Sequence, residues 1–254
     1  MILDTIVAKK KEEVAELYRK GVMSPPEDLD PPRGFIAALK NASSVAIIAE
    51  AKKASPSKGV IQPNFDPMAI ATHYQASGAH AISVLTDVDF FQGALAYIPL
   101  VRNVVSLPVL RKDFIIDPMQ ISEARMVGAD AILLIAAILE TEQLREYRLI
   151  AEGFNMDVLV EVHDEKELES ALAAESKLIG INNRNLNDFS VNLDTTFRLL
   201  QLIPDSIPVV SESGIATIED MRRLKEHGVS AALIGESLMR SGTEGSLLKE
   251  FASL

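Results

Sequence analysis

Apolar and polar positions along the chain repeat in two alternating patterns. Short runs of valine, isoleucine, leucine and alanine recur, and longer segments with apolar residues at helical spacing lie between them. A short apolar run with polar residues only at its ends is typical of a strand buried on both faces. The chain is therefore predicted to alternate between buried strands and amphipathic helices.

The apolar runs predict eight strands, each followed by a helix. The strands lie near residues 45–50, 81–86, 107–112, 130–135, 157–162, 177–182, 207–212 and 231–235. The helices lie near residues 67–77, 94–104, 117–127, 140–152, 164–174, 192–203, 217–227 and 243–252. Eight such units in 254 residues predict an α/β fold, a (β/α)8 TIM barrel. A doubly wound sheet is the competing architecture, but no strand precedes a Gly-x-Gly-x-x-Gly motif.

An extension precedes the first predicted strand. Residues 1–20 have apolar side chains at helical spacing with charges between them, which predicts an amphipathic helix lying on another surface. The proline-rich segment 25–32 predicts a stiff connector, and residues 35–39 predict a short second helix. The extension is too short to bury a core of its own, so we expect a single domain. The predicted ranges are 1–44 for the helical extension and 45–254 for the barrel, within one domain, 1–254.

Composition and charge limit the kinds of partner. The chain has 36 acidic and 25 basic residues, and its net charge of -11 argues against binding to nucleic acid or an anionic membrane. No apolar run approaches the roughly 20 residues of a membrane span, and glutamates follow the basic residues 9–11 where a signal peptide would be apolar. We therefore expect a cytoplasmic protein, a monomer or weak oligomer, acting on a small molecule.

Residues that commonly bind metals are sparse in this chain. It contains no cysteine, and its 4 histidines are scattered without metal-ligand spacing. We therefore expect no disulfide, no metal and no cofactor. His163 follows a predicted strand and is interpreted as a structural hydrogen-bonding residue, not as a base.

Polar and ionisable residues cluster after seven of the eight predicted strands. In a (β/α)8 barrel these carboxyl ends surround the active site. Glu50 and Lys52 end the first strand and, two residues apart, point the same way, before a predicted loop at 55–59. Lys112 ends the third strand and Glu161 ends the fifth. Surface charges would be scattered along the chain and would not recur at the ends of the strands. We therefore predict an active site here.

Lys52, Lys112 and Glu161 are the candidates for acid–base chemistry. Lysines that converge in a pocket lower each other's pKa by repulsion and burial, which makes one of them a usable general acid. A carboxylate across the barrel could then remove a proton. The structural alternatives are a surface role for Lys112 and an ion pair of Glu161 with Arg184 or Lys112. Three further residues could form the wall of an aromatic substrate pocket or belong to the core: Pro56, Phe91 and Phe114.

Small residues follow the last two predicted strands. Ser213 and Gly214 follow the seventh, and Gly235 and Glu236 follow the eighth, before a short extra helix near 238–240. Backbone N–H groups at such a helix start form the phosphate site common in these barrels. The pattern predicts phosphate binding by backbone groups, with the Glu236 side chain pointing away. Two ordinary glycine turns are the alternative.

The motifs around these residues resemble those of indole-3-glycerol phosphate synthase. The matching segments are 50–59, 85–93, 110–114, 159–163, 180–186, 211–215 and 233–239. The first is the most specific, whereas the glycine turns would fit many phosphate-binding barrels. The resemblance implies closure of 1-(2-carboxyphenylamino)-1-deoxyribulose 5-phosphate to indole-3-glycerol phosphate in tryptophan biosynthesis. Carbon dioxide and water are lost, and neither cofactor nor metal is implied.

The resemblance also implies roles for individual residues. Lys112 matches the acid that stabilises the developing alkoxide, Lys52 and Glu161 match the acid and base of dehydration, and Glu50 tunes Lys52. Which lysine serves which step stays open. The other matches are Asn182 and Ser213 as catalytic residues; Ser55, Pro56, Phe91, Phe114, Arg184, Leu186 and Glu212 as substrate-binding residues; and Ser213, Gly214, Gly235 and Glu236 as phosphate-binding residues. The extension is expected to cap the barrel mouth, without the tryptophan that some relatives place there.

Two other functions compete with this interpretation. Phosphoribosylanthranilate isomerase acts on a close chemical neighbour in the same fold, but normally lacks the extension and uses a cysteine, which this chain does not have. A non-catalytic barrel that binds phosphorylated ligands is the alternative from a different class. The presence of Glu50, Lys52, Lys112 and Glu161 argues against it, because such a barrel needs neither acid nor base.

Overall fold

Eight parallel strands close into a barrel. The computed structural model describes residues 2–22, 29–186, 188–242 and 246–254. The strands are β1 (Ala46–Ala51), β2 (Ala81–Leu85), β3 (Val109–Lys112), β4 (Ala131–Ile135), β5 (Asp157–Val162), β6 (Ile179–Asn182), β7 (Val209–Glu212) and β8 (Ala231–Ile234). Each strand pairs with the next along the chain, and β8 pairs with β1. The predicted (β/α)8 barrel is confirmed, and the doubly wound sheet is excluded.

Helices separate the strands and surround the barrel. They are α1 (Ile2–Lys20), α2 (Phe35–Lys40), α3 (Pro67–Ala76), α4 (Tyr97–Val104), α5 (Pro118–Met126), α6 (Thr141–Gly153), α7 (Glu165–Ala173), α8 (Asp194–Leu200), α9 (Ile218–Glu226), α10 (Glu236–Ser241) and α11 (Leu247–Ala252). The extra helix predicted after the eighth strand is present as α10. The last predicted helix, 243–252, corresponds to α11, and residues 243–245 lie outside the described part of the chain.

Side-chain caps and glycines set where several helices begin and end. The Asp117 side chain accepts a hydrogen bond from the backbone of Met119 at 2.8 Å, with proline in the first turn of α5. Thr217 and Asp220 form a reciprocal capping box at the start of α9. Gly128 follows α5 with φ 86, a left-handed conformation that stops the helix and turns the chain towards β4.

The short segment after β1 is more ordered than the sequence predicts. Ala54–Ser55 pairs with Gly59–Val60 in a small antiparallel hairpin, where the sequence predicted a plain loop. The backbone N–H groups of Ile61 and Gln62 both donate to the Lys53 carbonyl, at 2.8 and 3.1 Å. Gly59 has φ 65, which lets the chain turn back on itself.

The extension contacts both ends of the barrel. Phe35 and Leu39 of α2 are buried among the first residues of the strands, such as Ala46 and Ala131, so α2 closes the amino-terminal end. The expectation that the whole extension caps the mouth is therefore wrong for α2. Apolar side chains of the barrel interior would be exposed to water at this end, and the apolar side chains of α2 cover them. Of the described residues of the extension, those of α1 lie over the mouth. Residues 25–28 of the predicted connector lie outside the described residues.

Candidate active site

A cavity of about 520 Å³ lies at the carboxyl ends of the strands. All of the site residues predicted from the sequence line it: Glu50, Lys52, Ser55, Pro56, Phe91, Lys112, Phe114, Glu161, Asn182, Arg184, Leu186, Glu212, Ser213, Gly214, Gly235 and Glu236. The side chains of Ile2, Leu3 and Ile6 from α1 close it from above. The volume suits a small-molecule ligand.

Alternate strands supply the charged centre of this cavity. Glu50, Lys112, Glu161 and Glu212 come from β1, β3, β5 and β7. In a (β/α)8 barrel the side chains of one layer come from alternate strands, so these four residues belong to one layer at the top of the barrel. The Lys112 ammonium lies 3.2 Å from Glu161 Oε2 and 3.7 Å from Glu212 Oε2. Lys52 lies just beyond β1 and pairs with Glu50 at 2.5 Å.

The carboxylates raise the pKa of Lys112. Burial alone would lower this pKa, but the charges of Glu161, Glu212 and Glu50 outweigh it. The sequence-based expectation of a lowered pKa through a neighbouring lysine is wrong for this residue. The charges that act on it are those of three carboxylates, and Lys52 is itself paired with one of them, Glu50. Lys112 is therefore held as an ammonium ion and can donate a proton or a hydrogen bond.

The carboxyl groups of Glu161 and Glu212 differ in proton affinity. Burial raises the pKa of Glu212 to about 8, and the charge of Glu161 adds to the effect, with Lys112 opposing it. Burial also acts on Glu161, but the charges of Lys112 and His163 outweigh it and its pKa is lowered. Two such groups with opposite shifts commonly divide the roles of acid and base. Glu161 therefore gives up its proton more readily than Glu212 does.

Two glycines leave space for the carboxylates of Glu212 and Glu50. The sequence did not predict this role. A Cβ atom at Gly180 on β6 would collide with Glu212 Oε1, and one at Gly235 would collide with Glu50 Oε1. Both glycines therefore set the positions of neighbouring carboxylates. A glycine inside a predicted strand is a known signal of close approach, and at Gly180 it could have indicated this contact.

Aromatic and apolar side chains form one wall of the cavity. The rings of Phe91 and Phe114 lie 6.1 Å apart at 37°, an arrangement typical of packed aromatic pairs. The Asp87 carboxylate accepts hydrogen bonds from the backbone of Phe90 and Phe91, at 2.7 and 3.2 Å, which fixes the loop after β2. Pro56 is exposed at the tip of the hairpin after β1. These positions favour the aromatic-wall interpretation for both phenylalanines.

Two tight turns form the opposite end of the cavity. Ser213 and Gly214 have φ 66 and 81, and the first is a conformation that residues other than glycine rarely adopt. The Ser237 hydroxyl in α10 donates to the Ile215 carbonyl at 2.8 Å and ties the two turns together. The Glu236 carboxylate is held by Arg240 at 3.1 Å and by Arg184 at 3.8 Å. These ion pairs neutralise much of its charge.

The cavity is less negative than the molecule as a whole. Its basic side chains are Lys52, Lys58, Lys112, Arg184 and Arg240. Its acidic side chains are Glu50, Asp113, Glu161, Glu212 and Glu236. The charges lining the cavity are therefore balanced, whereas the chain carries -11 in total. An anionic ligand avoids the overall repulsion by binding here.

A buried ion network, absent from the sequence prediction, fixes α1 over the mouth. Lys10 is 1% exposed, and its ammonium lies 2.8 Å from Asp87 and 2.9 Å from Asp113. Asp113 also accepts from Thr86 at 2.6 Å and pairs with Arg111 at 3.1 Å. The polar strand ends at Asp87 and Asp113 thus bind the extension. Lys10 lies four residues after Ile6, on the same face of α1. This spacing could have indicated in the sequence that Lys10 is buried.

The described residues contain no group of three or more His, Cys, Asp or Glu residues placed to hold a metal ion. None of the described helices is both long enough and apolar enough to cross a membrane.

Fold and site together define an enzyme of the (β/α)8-barrel class, with acid–base groups at the carboxyl ends of its strands. The sequence model of indole-3-glycerol phosphate synthase matches residues 3–251. The chain belongs to the indole-3-glycerol phosphate synthase family, whose members are carboxy-lyases of tryptophan biosynthesis that act on a small phosphorylated substrate. The resemblance noted in the sequence is thereby confirmed.

Related sequences agree with this assignment over the full chain. The chain is 60% identical over 253 residues to indole-3-glycerol phosphate synthase of Desulfotalea psychrophila, covering 98% of this chain and 97% of the relative. It is 47% identical over 262 residues to the synthase of Acetivibrio thermocellus, covering 100% of both.

Solved structures with low sequence identity share the fold alone. KGPDC from Streptococcus mutans matches with a TM-score of 0.65 at 11% identity, over 83% of this chain and 97% of that chain. The N-acetylmannosamine-6-phosphate 2-epimerase from Clostridium perfringens matches with a TM-score of 0.62 at 15% identity, over 80% and 91%.

Proposed function

We propose that this chain converts 1-(2-carboxyphenylamino)-1-deoxyribulose 5-phosphate into indole-3-glycerol phosphate, with Lys112 as a general acid and Glu161 as the general base. The observation that carries the assignment of residues is the Lys112–Glu161 pair, 3.2 Å apart inside the cavity, with the two residues on β3 and β5. Family membership supports the reaction, and the geometry supports the residues.

In the first step the aryl carbon that bears the carboxylate attacks the ribulose carbonyl. The carbonyl oxygen gains negative charge as the carbon–carbon bond forms, and an ammonium donor stabilises that charge. Lys112 suits this step because its neighbouring carboxylates keep it protonated in a buried position. Loss of carbon dioxide then returns an electron pair to the ring and restores its aromaticity.

The last step removes water from the new five-membered ring. An acid must protonate the leaving hydroxyl while a base removes a proton from the neighbouring ring atom. We assign the base to Glu161, whose lowered pKa keeps it ionised, and the acid to Lys52, which Glu50 holds at 2.5 Å. Asn182 hydrogen-bonds Glu161 and accepts from the backbone of Arg184 at 3.0 Å, so it helps to orient the base.

The two ends of the cavity suit the two ends of the proposed substrate. We place its aromatic ring against Phe91 and Phe114, and its phosphate at the two turns that contain Ser213, Gly214 and Gly235. The balanced charge of the cavity and the neutralised Glu236 carboxylate support a phosphate there. Four further residues are proposed to contact the substrate between these ends: Ser55, Pro56, Arg184 and Leu186.

The proposal is tested by product fluorescence. The chain contains no tryptophan, so indole formation appears on a dark background. Purified protein is incubated with the carboxyphenylamino-deoxyribulose phosphate, alongside Lys112→Ala and the control Lys166→Ala, which changes an exposed lysine on α7. We expect turnover by the wild type and by the control, and a loss of about 100-fold or more in kcat for Lys112→Ala.

Three other outcomes would contradict parts of the proposal. Full activity in Lys112→Ala would keep the reaction and remove Lys112 from its role. Tight substrate binding without turnover in the wild type would support the non-catalytic barrel, whereas isomerisation of phosphoribosylanthranilate would support the neighbouring enzyme of the pathway.

We also propose that the protein works in the cytoplasm without cofactor or metal, as a monomer or weak oligomer. The support is the composition: no cysteine, scattered histidines and a net charge of -11 that favours separate molecules in solution. Light scattering on the purified protein, and the fluorescence assay in the presence of a chelator, test these two statements.

A further inference from the structure

His163 lies beside the proposed base and has no role in the mechanism above. It follows β5 two residues after Glu161, so both side chains point to the same side of the strand. Its Nε2 atom lies 3.4 Å from Glu161 Oε1, while Glu161 Oε2 faces Lys112. The carboxylate therefore lies between a lysine on one side and a histidine on the other.

The orientation of the His163 ring is fixed by Glu167 in the first turn of α7. Glu167 Oε2 accepts from the His163 backbone N–H at 2.7 Å and lies 2.9 Å from Nδ1. The Glu167 backbone in turn donates to the capping residue Asp164 at 2.9 Å. Since an ionised carboxylate only accepts hydrogen bonds, Nδ1 must carry the hydrogen in this contact.

This tautomer decides what Nε2 can do. With one proton on Nδ1, a neutral ring would direct the Nε2 lone pair at Glu161 Oε1, and two acceptors would face each other. Nε2 is buried and has no hydrogen-bond partner within the described residues. A buried nitrogen without a partner is unfavourable, and a second proton on the ring removes the conflict by turning Nε2 into a donor.

The charges around the ring favour that second proton. Burial acts against the imidazolium, but Glu167 on α7, Glu161 on β5 and Glu212 on β7 all face it and together raise its pKa. Lys112 on β3 lies on the far side of Glu161 and pairs with it. The ring is thus held between carboxylates from three elements.

We propose that His163 is a positioning residue that, as an imidazolium ion, pairs through its Nε2–H side with Glu161 Oε1, 3.4 Å away, and so directs Oε2 towards Lys112 and the substrate. The inference rests on the proposed role of Glu161 as base. Glu167 acts through the ring, because it sets which nitrogen faces Glu161. Without this contact the carboxylate loses one of the groups that keep it ionised and in place.

Two substitutions separate positioning from a structural role. His163→Gln places an amide N–H near the position of Nε2, and so keeps a donor towards Glu161. His163→Asn places its amide near the position of Nδ1, and so keeps only the contact with Glu167. A purely structural histidine predicts similar effects for both, since each removes the ring.

We expect His163→Asn to lower kcat by about tenfold or more, with KM changed less than about threefold, because the base is misplaced while the binding groups remain. His163→Gln should recover most of that loss. The wild type should also lose kcat at alkaline pH as the ring deprotonates, and this limb should be absent from the Gln variant. Equal losses in both variants with an unchanged pH profile would overturn the proposal.

A second measurement needs no substrate. In protein labelled with nitrogen-15, the ring nitrogens of His163, assigned by their loss in His163→Gln, report its charge directly. We expect an imidazolium at pH 7 that titrates above the usual value of about 6.5, and a lower pKa in Glu161→Gln. A neutral ring at pH 7 would refute the inference even if the enzyme is active. Conversely, an inactive wild type with a charged ring would refute only the proposed function.

Discussion

At the scale of single residues, two glycines help to set the positions of the charged side chains in the cavity. Gly180 lies on β6 between the strands that carry Glu161 and Glu212, and its missing side chain is where the Glu212 carboxylate lies. Gly235 leaves the same kind of space for Glu50. On β6 and just after β8, a missing side chain thus leaves room for a long side chain from a neighbouring odd-numbered strand.

We therefore expect Gly180→Ala to impair catalysis more than folding. The new methyl group displaces the Glu212 carboxylate from its present position, and a misplacement of about 1 Å in an active site costs on the order of 100-fold in rate. The accompanying loss of stability should be about 1–3 kcal/mol, as for other overpacked sites. Steady-state kinetics and urea unfolding measure the two effects.

Gly153→Ala is the matched control for this prediction. Gly153 ends α6, and a Cβ atom there has open space around it. Activity should stay at the wild-type level in this variant, with stability unchanged or slightly increased. An equally active Gly180→Ala would show that Glu212 can move freely, contrary to the role given to Gly180.

Proton affinity was the residue property that the sequence predicted least well. Lys52 and Lys112 could both be assigned to one pocket, because each ends a strand of the same barrel. The sign of the pKa shift at Lys112 depends instead on how many carboxylates face it, and Glu212 was placed among the substrate-binding residues. The distances between Lys112 and these carboxylates are set when the eight strands close into a barrel. The local sequence around each residue carries no information about them.

At the scale of elements, one buried lysine of α1 pairs with carboxylates at the barrel mouth. Lys10 forms ion pairs with Asp87 and Asp113, which end β2 and β3. Ile2, Leu3 and Ile6 of the same helix line the cavity. The ion pairs therefore couple the cover of the cavity to two strand ends beside Lys112.

We expect Lys10→Met to loosen α1. The substitution leaves two buried carboxylates without their ammonium partner, and breaking such a pair costs about 3–5 kcal/mol. The loss should appear as a lower Tm, faster proteolytic cleavage within α1, and a raised KM, because the cavity loses its cover. Thermal unfolding, timed digestion and steady-state kinetics measure these three effects.

Lys11→Met serves as the control, since Lys11 is exposed on the same helix. Its Tm, digestion rate and KM should match those of the wild type. If Lys10→Met also behaves like the wild type, α1 is held by its apolar contacts, and the ion network has no part in covering the cavity.

Elements with strong local signals were predicted well, and those defined by long-range contacts were not. The eight strands were predictable because each is a short apolar run in a regular series. The position of α2 under the barrel was missed, since it depends on Phe35 meeting the interior of strands far along the chain. The hairpin after β1 was missed because its two strands have only two residues each.

At the scale of the whole molecule, the buried carboxyl groups of the barrel act on its stability in opposite directions. Asp113 has a pKa lowered to about 2, since Arg111 and Lys10 outweigh the effect of burial, so it favours the folded state at neutral pH. Glu212 does the opposite. Its pKa is raised to about 8, and ionising it in the folded protein is unfavourable.

The sign of this effect gives a prediction for the pH dependence of stability. A carboxyl group with a raised pKa binds its proton more tightly in the folded state than in the unfolded state, where its pKa is about 4.3. Its stabilising contribution is complete below about pH 4 and is lost as the pH rises to about 8. Glu212→Gln does not titrate, so its Tm relative to the wild type should rise between pH 5 and pH 9.

Differential scanning calorimetry of both proteins across this range measures the difference, with each kcal/mol worth about 2–4 °C in Tm for a chain of this size. Glu219→Gln, which changes an exposed carboxylate on α9, should show no such trend. The Glu212 variant should also lose activity, because the same buried carboxyl group lines the cavity and faces Lys112. A variant that is less stable than the wild type by the same amount at every pH would mean that Glu212 is ionised throughout, and that Lys112 outweighs its burial.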